Sequence, residues 1–273
     1  MIEIKNLNYI YGRGTLEERH ALKDINLTIP KNAVAAIIGH TGSGKSTLIE
    51  HLNGLKKPSS GNIFIDGKNI NGIKPKVLRK TVGIVFQYPE YQLFEETVFD
   101  DIAFAPRNFG FDNIEACVNE AARLVGLNED TLKKSPFELS GGQKRRAAIA
   151  GVLAMRPDIL ILDEPTAGLD PSGRDEIFKL IKGLSDITVI FVSHSMEDVA
   201  KTADNIIVMN DGQVEITGTV DEVFSHSERL AEIGLNVPEI TRLTDKLRQY
   251  YDIPEGIYTV DKAVEVILKL RRA

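Results

Sequence analysis

One glycine-rich stretch, GHTGSGKS at residues 39–46, restricts the possible folds of this chain more than any other feature. It follows the apolar run AVAAII (33–38) and precedes KSTLIEHLNGL, whose pattern is typical of a helix. The spacing matches the phosphate-binding pattern G-x-x-x-x-G-K-[ST], in which glycines let backbone N–H groups approach phosphate oxygens. The helix that follows directs the positive end of its dipole toward the same anion. The sequence therefore predicts a strand, a phosphate loop and a helix that bind a nucleotide, rather than a plain glycine turn.

The residues of this loop contribute through the backbone and through side chains. Lys45 would bring a positive charge toward the β- and γ-phosphates, and the Ser46 hydroxyl would serve Mg²⁺. For His40 we expect contact through the backbone only. The predicted nucleotide contacts of the loop are Gly39, His40, Thr41, Gly42, Ser43, Gly44, Lys45, Ser46 and Thr47.

The composition disfavours several other classes of protein. The 273 residues are 42% hydrophobic and 26% charged, which is typical of a folded globular chain. A net charge of −6 disfavours a sequence-independent nucleic-acid binder, which is usually basic. Cys117 is the only cysteine, so no intrachain disulfide can form. No signal peptide opens the chain and no apolar run reaches the roughly 18 residues of a membrane span, so we expect a soluble chain that reaches a membrane only through a partner.

Apolar strand-like runs alternate with helix-like stretches along most of the chain. Runs such as TVGIVFQ, DILILDEP, TVIFVSH and NIIVMNDG are separated by segments with helical spacing, which predicts an α/β fold with a mostly parallel sheet. After the last strand, residues 238–251 and 259–270 predict two amphipathic helices. Their apolar faces should be Ile240, Leu243, Leu247 and Tyr250 in the first helix, and Val260, Val264, Ile267 and Leu268 in the second.

An acidic pair ends the run DILILDEP (158–165). Four aliphatic residues in a row would place Asp163 and Glu164 at the carboxyl end of a parallel strand, where α/β folds form their ligand crevices. Asp163 suits Mg²⁺, directly or through water, and Glu164 can orient or deprotonate an attacking water. Two merely exposed acids at a strand end are the alternative, which the phosphate loop in the same chain disfavours.

The order of the motifs resembles that of the ATP-binding subunit of ABC-type ATPases over about residues 1–225. LSGGQ (139–143) lies between the phosphate loop and ILILDEP, and AGLD (167–170) resembles the family's D-loop. The resemblance implies a P-loop NTPase fold of the ABC ATPase type, with a mostly parallel sheet core, an antiparallel β subdomain and a helical subdomain. We place the ATP-binding domain at 1–228, the helical subdomain at about 88–157 and a small C-terminal helical extension at 229–273.

The same resemblance implies roles for single residues. Glu164, His194 and Gln87 are the implied catalytic group. Ser46, Gln87 and Asp163 are the implied ligands of Mg²⁺. Two subunits are implied to sandwich two ATP molecules, each held by the phosphate loop of one subunit and LSGGQ of the other. The further implied ATP contacts are Tyr11, which would stack on adenine, and Ser140, Gly141, Gly142, Gln143 and Asp170.

Simpler interpretations exist for three of these residues. Ser140 could cap the N-terminus of a helix, which does not conflict with binding a phosphate. A lone histidine after an apolar strand, such as His194, is more often a packed or surface residue than a catalytic one. Tyr11 could pack on the core together with Tyr9, which shares its face of a strand.

Local features resemble a narrower group, the ATPase subunits of energy-coupling factor importers of vitamins or transition-metal ions. They are FQYPEYQLFEETVFDDIAFAPRNFG (86–110), RRAAIAGVLAM (145–155) and the C-terminal extension. The resemblance implies two ATPases beneath a membrane scaffold subunit, with a separate membrane subunit that captures the substrate. We favour a heterodimer with a sister ATPase over a homodimer, and a peripheral location on the cytoplasmic face of the cell membrane.

A soluble ABC ATPase of DNA repair or translation is the alternative. Such chains typically carry a coiled-coil insertion or two fused halves, which are missing here, so we expect no nucleic-acid partner.

The stretch FQYPEYQLFEE (86–96) mixes aromatic and acidic residues in a way that suits neither a core strand nor an ordinary loop. Gln87 would reach Mg²⁺ and the γ-phosphate, and Pro89 would end the strand. Beyond Pro89 we expect a short surface helix whose apolar side chains fill a groove beside a scaffold helix and whose acids pair with arginines there. This places the scaffold contact at 87–100. A local hydrophobic staple with a solvated acidic face is the alternative. The side chains concerned are Tyr91, Leu93 and Phe94, and Glu90, Glu95 and Glu96.

Overall fold

A computed structural model describes residues 1–270, in which two β-sheets are surrounded by helices. The ten strands in this part of the chain are β1 (Ile2–Tyr11), β2 (Arg19–Ile29), β3 (Val34–Ile38), β4 (Ser60–Ile65), β5 (Lys68–Asn69), β6 (Val82–Val85), β7 (Ile159–Asp163), β8 (Thr188–Val192), β9 (Asn205–Asn210) and β10 (Gln213–Gly218). The α-helices are α1 (Lys45–Leu52), α2 (Pro75–Thr81), α3 (Val98–Phe109), α4 (Ile114–Leu124), α5 (Glu129–Leu132), α6 (Gly141–Leu153), α7 (Pro171–Gly183), α8 (Met196–Thr202), α9 (Val220–Phe224), α10 (Ser227–Glu232), α11 (Glu239–Leu247) and α12 (Val260–Leu270).

The larger sheet has the strand order β10-β9-β3-β8-β7-β6 and is parallel except for β10 at its edge. Strands β3, β7 and β8 are buried almost completely, which explains why they read as continuous apolar runs. In the register, Val192 pairs with Ile37 on one side and with Asp163 on the other. The carboxyl ends of the three strands therefore lie side by side, and the phosphate loop, the acidic pair and His194 leave the sheet at one edge.

The smaller sheet is antiparallel, with the order β2-β1-β4-β5. Its inner face packs against α1 and one face of the larger sheet, with Ile4, Leu22, Ile37 and Leu48 in a shared core. Each of these side chains is almost fully buried, which stabilises the fold by roughly 2 kcal/mol per side chain relative to exposure. The predicted mostly parallel sheet with an antiparallel β subdomain is confirmed.

Helices α3 to α6 lie between β6 and β7 in the chain and form one packed group on the other face of the larger sheet. Their contacts use small side chains, among them Ala103, Ala121 and Ala147, which let helices approach closely. Gly83 of β6 serves the same purpose, because a Cβ there would overlap the side chain of Val152 in α6.

The segment after Gln87 differs from the surface helix that we predicted. A 3₁₀ turn spans Pro89–Gln92, irregular backbone follows, and α3 begins only at Val98. The Asp101 carboxylate accepts hydrogen bonds from the backbone N–H groups of Phe94 (3.0 Å) and Glu95 (3.2 Å). These groups are therefore withdrawn from helical hydrogen bonding, and the prediction of a helix here is wrong.

The two C-terminal helices occur where we predicted them, as α11 and α12. They pack on each other around a small separate core centred on Ile253, Ile257 and Ala263. Ile240 and Leu247 of α11 contribute to that core as expected. The predicted extension runs to residue 273, and its last three residues lie outside the described part of the chain.

The apolar face that we predicted for α12 is not the side that packs against α11. Its members Val260, Val264, Ile267 and Leu268 are 41–54% exposed. Apolar residues occur on more than one face of this helix, and the side that packs inward carries Ala263, Val266 and Leu270. Leu243 and Tyr250 of the first predicted face are exposed as well. The pair of helices thus keeps an apolar surface that its own contacts do not bury.

Candidate active site

The backbone of the phosphate loop adopts conformations that favour glycine. The φ angles are +154° at Gly39, +86° at Gly42 and +104° at Gly44. A Cβ at Gly44 would lie 2.8 Å from the carbonyl oxygen of Ala21, and one at Gly39 would overlap the carbonyl of Met209. Glycine is therefore required at these positions for space as well as for conformation, and the loop passes directly into α1 at Lys45.

Lys45 is buried inside the loop that precedes it. Its Nζ donates hydrogen bonds to the carbonyl oxygens of Gly39 (2.8 Å) and His40 (3.0 Å). Burial lowers the pKa of Lys45, whereas the nearby Glu164 and Asp163 carboxylates act to raise it. The ammonium group thus lies between the loop and the acidic pair, where it can match the charge of a bound phosphate.

Asp163 ends β7, and the Ser46 side chain at the start of α1 is one of the polar groups that act on its carboxylate. Burial and the neighbouring Glu164 raise the pKa of Asp163, and Lys45 and Ser46 act against this rise. A carboxylate and a hydroxyl are oxygen donors of the kind that Mg²⁺ prefers, and this ion commonly takes few protein ligands besides phosphate and water. The pair therefore fits a Mg²⁺–nucleotide complex.

The three predicted catalytic side chains meet at one carboxylate. Gln87 donates its Nε2–H to Oε2 of Glu164 at 3.2 Å, and Nε2 of His194 lies 2.9 Å from Oε1. Because β6 and β8 flank β7 in the sheet, the residues that follow these strands converge on Glu164 from both sides. The amide oxygen of Gln87 stays available for a cation.

The backbone of Glu164 is strained. Its φ is +48°, an uncommon value for a residue with a side chain, and its N–H donates to the carbonyl oxygen of Val192 at 3.2 Å. Such a conformation costs about 1–3 kcal/mol and persists only where the surroundings impose it. The strain turns the carboxylate out of the line of the strand and toward Gln87 and His194.

A cavity of about 790 Å³ opens over the phosphate loop and this carboxylate cluster. Tyr11 lies at its wall, and its hydroxyl is 3.1 Å from Oγ1 of Thr47. Tyr9 does not line the cavity; its ring packs edge-on against Tyr11 and His51. Of the two roles that we considered for Tyr11, core packing belongs to Tyr9. Tyr11 is available to stack on a nucleotide. The cavity is lined by Tyr11, Glu17, Arg19, Ala21, Thr41, Gly42, Gly44, Lys45, Ser46, Thr47, Gln87, Glu164 and His194.

The LSGGQ residues do not line this cavity. Ser140 caps the N-terminus of α6: its hydroxyl accepts from the N–H of Gln143 (3.3 Å), whose side chain accepts from the N–H of Ser140 (3.0 Å). Gly141 and Gly142 form the first turn of the helix. Asp170 caps α7 by accepting from the N–H of Gly173 at 3.2 Å. The chain thus brings one group of predicted ATP contacts together and leaves the other group elsewhere on its surface.

Two features of the site were missed by sequence reasoning. Arg19 pairs with Tyr11 across the β1–β2 hairpin, lines the cavity and donates from Nη2 to the carbonyl oxygen of Gly42 at 3.2 Å. Arg145 is 1% exposed and holds Glu90 through Nε (3.3 Å) and Nη2 (2.9 Å). Glu90 is therefore engaged within the chain, which contradicts our prediction that it pairs with arginines of a partner.

A glycine-rich loop between strand and helix, a lysine held within it and an acidic pair at the end of another parallel strand of the same sheet define a P-loop ATPase. The model of the ABC transporter family matches residues 22–167. A curated protein of Caldanaerobacter subterraneus, named energy-coupling factor transporter ATP-binding protein EcfA2, is 56% identical over 99% of this chain and 98% of its own length. A protein of the same name from Acetivibrio thermocellus is 54% identical over 99% of both chains.

Solved structures agree with these relatives. CbiO1 of Clostridium perfringens, described as part of the ABC transporter complex cbiONQ, has a TM-score of 0.77 and 43% identity over 89% of this chain and 98% of its own. A dimeric ATP-binding cassette in a post-hydrolysis state with ADP and Pi has a TM-score of 0.71 and 30% identity, over 81% of this chain and 99% of its own. This chain belongs to the ABC transporter family, in its group of energy-coupling factor ATP-binding proteins, and its activity is ATP hydrolysis coupled to transport.

Proposed function

We propose that this chain powers the uptake of a vitamin or a transition-metal ion as one of two ATPases beneath a membrane scaffold subunit. The observation that carries the proposal is the convergence of Gln87, Glu164 and His194 beside the phosphate loop. The names of the relatives, which are energy-coupling factor proteins and a part of a cbiONQ complex, support this type of transport system.

In the proposed reaction Glu164 orients or deprotonates the attacking water, because its carboxylate is fixed at the end of β7. His194 contacts the γ-phosphate, and Gln87 senses it. Lys45 and the loop N–H groups hold the β- and γ-phosphates. Ser46, Asp163 and Gln87 would hold Mg²⁺, which would supply positive charge to the phosphates when bound.

A second ATPase subunit would complete each site. The N-terminus of α6 with Ser140, Gly141, Gly142 and Gln143 lies outside the cavity of its own chain, and its helix dipole can face the γ-phosphate of a partner's nucleotide. Asp170 of the D-loop would contribute at the same interface. The dimeric state of a solved relative with ADP and Pi supports this arrangement.

We favour a sister ATPase over a second copy of this chain as that partner. The support comes from α11 and α12, whose side chains Leu243, Val264, Ile267 and Leu268 are 41–49% exposed. Apolar residues at this density suit a permanent contact with another protein. We propose that 229–273 is a helical extension that meets the partner subunit, beyond an ATP-binding domain at 1–228.

The scaffold contact is proposed at 87–100. Tyr91 is 84% exposed and Phe94 is 64% exposed, and the Phe94 ring packs edge-on against Phe104 of α3 at 4.9 Å. Exposed aromatic rings on an ordered surface favour a protein interface. Glu96 is exposed and Glu95 half-buried, so both acids can still meet basic residues of the scaffold.

A location on the cytoplasmic face of the cell membrane follows from this contact. Within residues 1–270 no helix has the length and apolar character of a membrane span. We propose that the chain is held there peripherally through the scaffold, and that the substrate-capture subunit is contacted only indirectly. The alternative of a soluble ABC ATPase of DNA repair or translation is not favoured, because both curated relatives described above carry the energy-coupling factor name.

A co-purification experiment tests the proposal. The tagged chain is expressed in its own organism, and the membranes are extracted with detergent. The purified chain should retain a scaffold protein, a sister ATPase and a substrate-capture protein, which mass spectrometry can identify. The double charge reversal Glu95→Lys, Glu96→Lys should release the membrane proteins, whereas the control Glu129→Lys, Asp130→Lys on another exposed acidic pair should retain them. Retention by both variants would place the scaffold contact elsewhere, and a wild-type chain found only in the soluble fraction would reject transport.

A further inference from the structure

Arg145 connects three parts of the molecule: helix α6, the segment that contains Glu90, and the turn after Glu164. It belongs to α6, just after LSGGQ, and is the largest of the fully buried side chains. Its Nε and Nη2 donate to the Glu90 carboxylate, which belongs to the scaffold-facing segment, residues 87–100. Its Nη1 donates to the carbonyl oxygens of Pro165 (3.0 Å) and Ala167 (2.7 Å), which follow the acidic pair. Burying a guanidinium requires partners of this number, so the geometry is tightly specified.

The turn that Arg145 holds is the one that shapes Glu164. The N–H of Ala167 donates to the carbonyl oxygen of Glu164 at 3.1 Å, directly next to the carbonyl that Arg145 binds. Glu164 needs such support because its φ of +48° is unfavourable without it. A guanidinium fixed to Pro165 and Ala167 therefore restrains the backbone on one side of Glu164, and the hydrogen bond to Val192 restrains it on the other.

The segment 87–90 reaches Glu164 by two routes. Gln87 contacts the carboxylate directly at 3.2 Å. Glu90, three residues later, reaches the backbone of Glu164 through Arg145 and the turn. Tyr88 between them has a φ of +54°, so this short stretch is itself held in an uncommon conformation. A displacement of the segment would thus be felt at both the side chain and the backbone of Glu164.

We propose that the Glu90–Arg145 pair is a positioning element for Glu164 that links the scaffold-facing segment to ATP hydrolysis. Arg145 sets the backbone conformation that aims the carboxylate at the attacking water, and Glu90 holds Arg145 in place. The inference rests on the hydrolytic role proposed for Glu164 and on the scaffold contact proposed for 87–100. It adds a connection by which a scaffold movement at Glu90 changes the rate of hydrolysis rather than the affinity for ATP.

The chain provides a matched control for this pair. Arg156 and Glu120 also form a two-bond arginine–carboxylate pair, through Nε (3.1 Å) and Nη2 (2.6 Å), but both side chains are about half exposed. This pair joins α4 to the residues after α6 and touches none of the site motifs. Loss of an exposed pair has little effect in general, so Glu120→Gln reports what removing such a carboxylate does in the absence of a positioning role.

The test measures steady-state ATPase activity of the purified transporter complex and of the paired ATPase subunits without the scaffold. Glu90→Gln should lower kcat about tenfold or more while KM for ATP stays within about twofold, since a slightly misplaced catalytic group affects turnover more than binding. Glu120→Gln should leave both constants unchanged. Glu90→Asp, which keeps the charge, should recover part of the lost rate. A Glu90→Gln variant with the kinetics of Glu120→Gln would overturn the proposal.

A second variant separates positioning from stability. In Glu90→Leu, Arg145→Met the buried guanidinium and its half-buried carboxylate partner are replaced by apolar side chains, which often restores stability without restoring a specific geometry. We expect a Tm near that of the wild type with kcat still low. A double variant with wild-type Tm and wild-type kcat would show that the pair is structural only. Because these rates are measured on the paired ATPase subunits without the scaffold as well as in the complex, a failure of the scaffold contact at Glu95 and Glu96 does not change their interpretation.

Discussion

The phosphate loop and the N-terminus of α6 are both predicted to bind ATP, the loop in its own subunit and α6 in the partner's site, yet the chain builds them very differently. In the loop, glycines are required by close neighbours, since a Cβ at Gly39 or Gly44 would collide with backbone carbonyls. In LSGGQ, a Cβ at Gly141 or Gly142 would meet no atom within 4 Å. Nothing in residues 1–270 requires glycine at these two positions, which points to a neighbour outside the chain.

The polar groups of the two regions differ in the same way. Beside the loop a buried ammonium lies next to two carboxylates, where burial shifts the pKa of Lys45 down and that of Asp163 up. At α6, Ser140 and Gln143 satisfy each other's backbone through a capping box, and Ser140 stays exposed while Gln143 is half-buried. The loop is a prepared site, whereas α6 offers a stable helix end that, in the proposed dimer, would become part of a site when a second subunit supplies a nucleotide.

The largest expected effect comes from the prepared site. Glu164→Gln removes the carboxylate that orients or deprotonates water but keeps its shape, so kcat should fall by about a hundredfold or more with ATP affinity nearly unchanged. A single-turnover assay with labelled ATP, together with a binding titration, measures both quantities. Near-normal hydrolysis would remove Glu164 from the role given to it and would leave the cavity as a binding site only.

Lys45→Ala should weaken ATP binding by roughly tenfold to a hundredfold, because a charge-assisted contact to phosphate and two hydrogen bonds to the loop are lost together. A fluorescence titration with a labelled nucleotide provides the measurement. Lys179→Ala, an exposed lysine on α7, is the control and should bind ATP like the wild type. An unchanged affinity for Lys45→Ala would contradict the phosphate role of the loop.

Much of the prepared site could be predicted from sequence because it is built from local patterns. Strands buried on both faces appear as continuous apolar runs, and the residues that follow such strands meet at one edge whatever the details of packing. Gln87, Glu164 and His194 lie at these positions, so their convergence needs only the strand order. The phosphate loop is specified by its own glycines.

The parts that sequence reasoning missed depend on contacts between distant residues. Arg145 and Glu90 are 55 positions apart, and only the packing of α6 against the 3₁₀ turn makes one the partner of the other. The helix predicted after Pro89 fails because the Asp101 carboxylate takes its N–H groups. In α12 apolar residues occur on several faces, so periodicity alone could not say which face packs inward.

A substitution in LSGGQ tests the contrast between the two regions. Gly142→Ala has space in its own chain and should even raise Tm slightly, since alanine favours a helix by roughly 1 kcal/mol over glycine. ATP affinity of the chain alone should not change, while ATPase activity of the paired subunits should fall about tenfold, because the close approach of a second subunit's phosphate is blocked.

The control for this variant lies in the same helix. A Cβ at Gly151 would make only ordinary contacts, the nearest at 3.7 Å from the carbonyl oxygen of Asp101, so Gly151→Ala should keep both the fold and the activity. If Gly142→Ala also keeps full activity in the complex, the open space around LSGGQ is not a partner site. If Gly142→Ala lowers the ATP affinity of the isolated chain, LSGGQ contributes to the ATP site of its own chain, and the phosphate loop and LSGGQ are not separate sites.

The smallest effect is expected at Arg19, on the rim of the prepared site. Its guanidinium is exposed, so its attraction for a phosphate is screened and should amount to a few-fold in affinity, as is typical of surface charges. Arg19→Ala should weaken ATP and ADP alike, since the residue approaches the loop at Gly42 rather than the γ-phosphate side occupied by Glu164 and His194. Isothermal titration at low and high salt measures the effect. Arg13→Ala, at the tip of the same hairpin, is the control, because only the contribution of Arg19 to the affinity should shrink as salt rises. A loss confined to ATP would move Arg19 to the hydrolysis side of the cavity, and equal affinities for the two arginine variants would reduce its role to holding the carbonyl of Gly42.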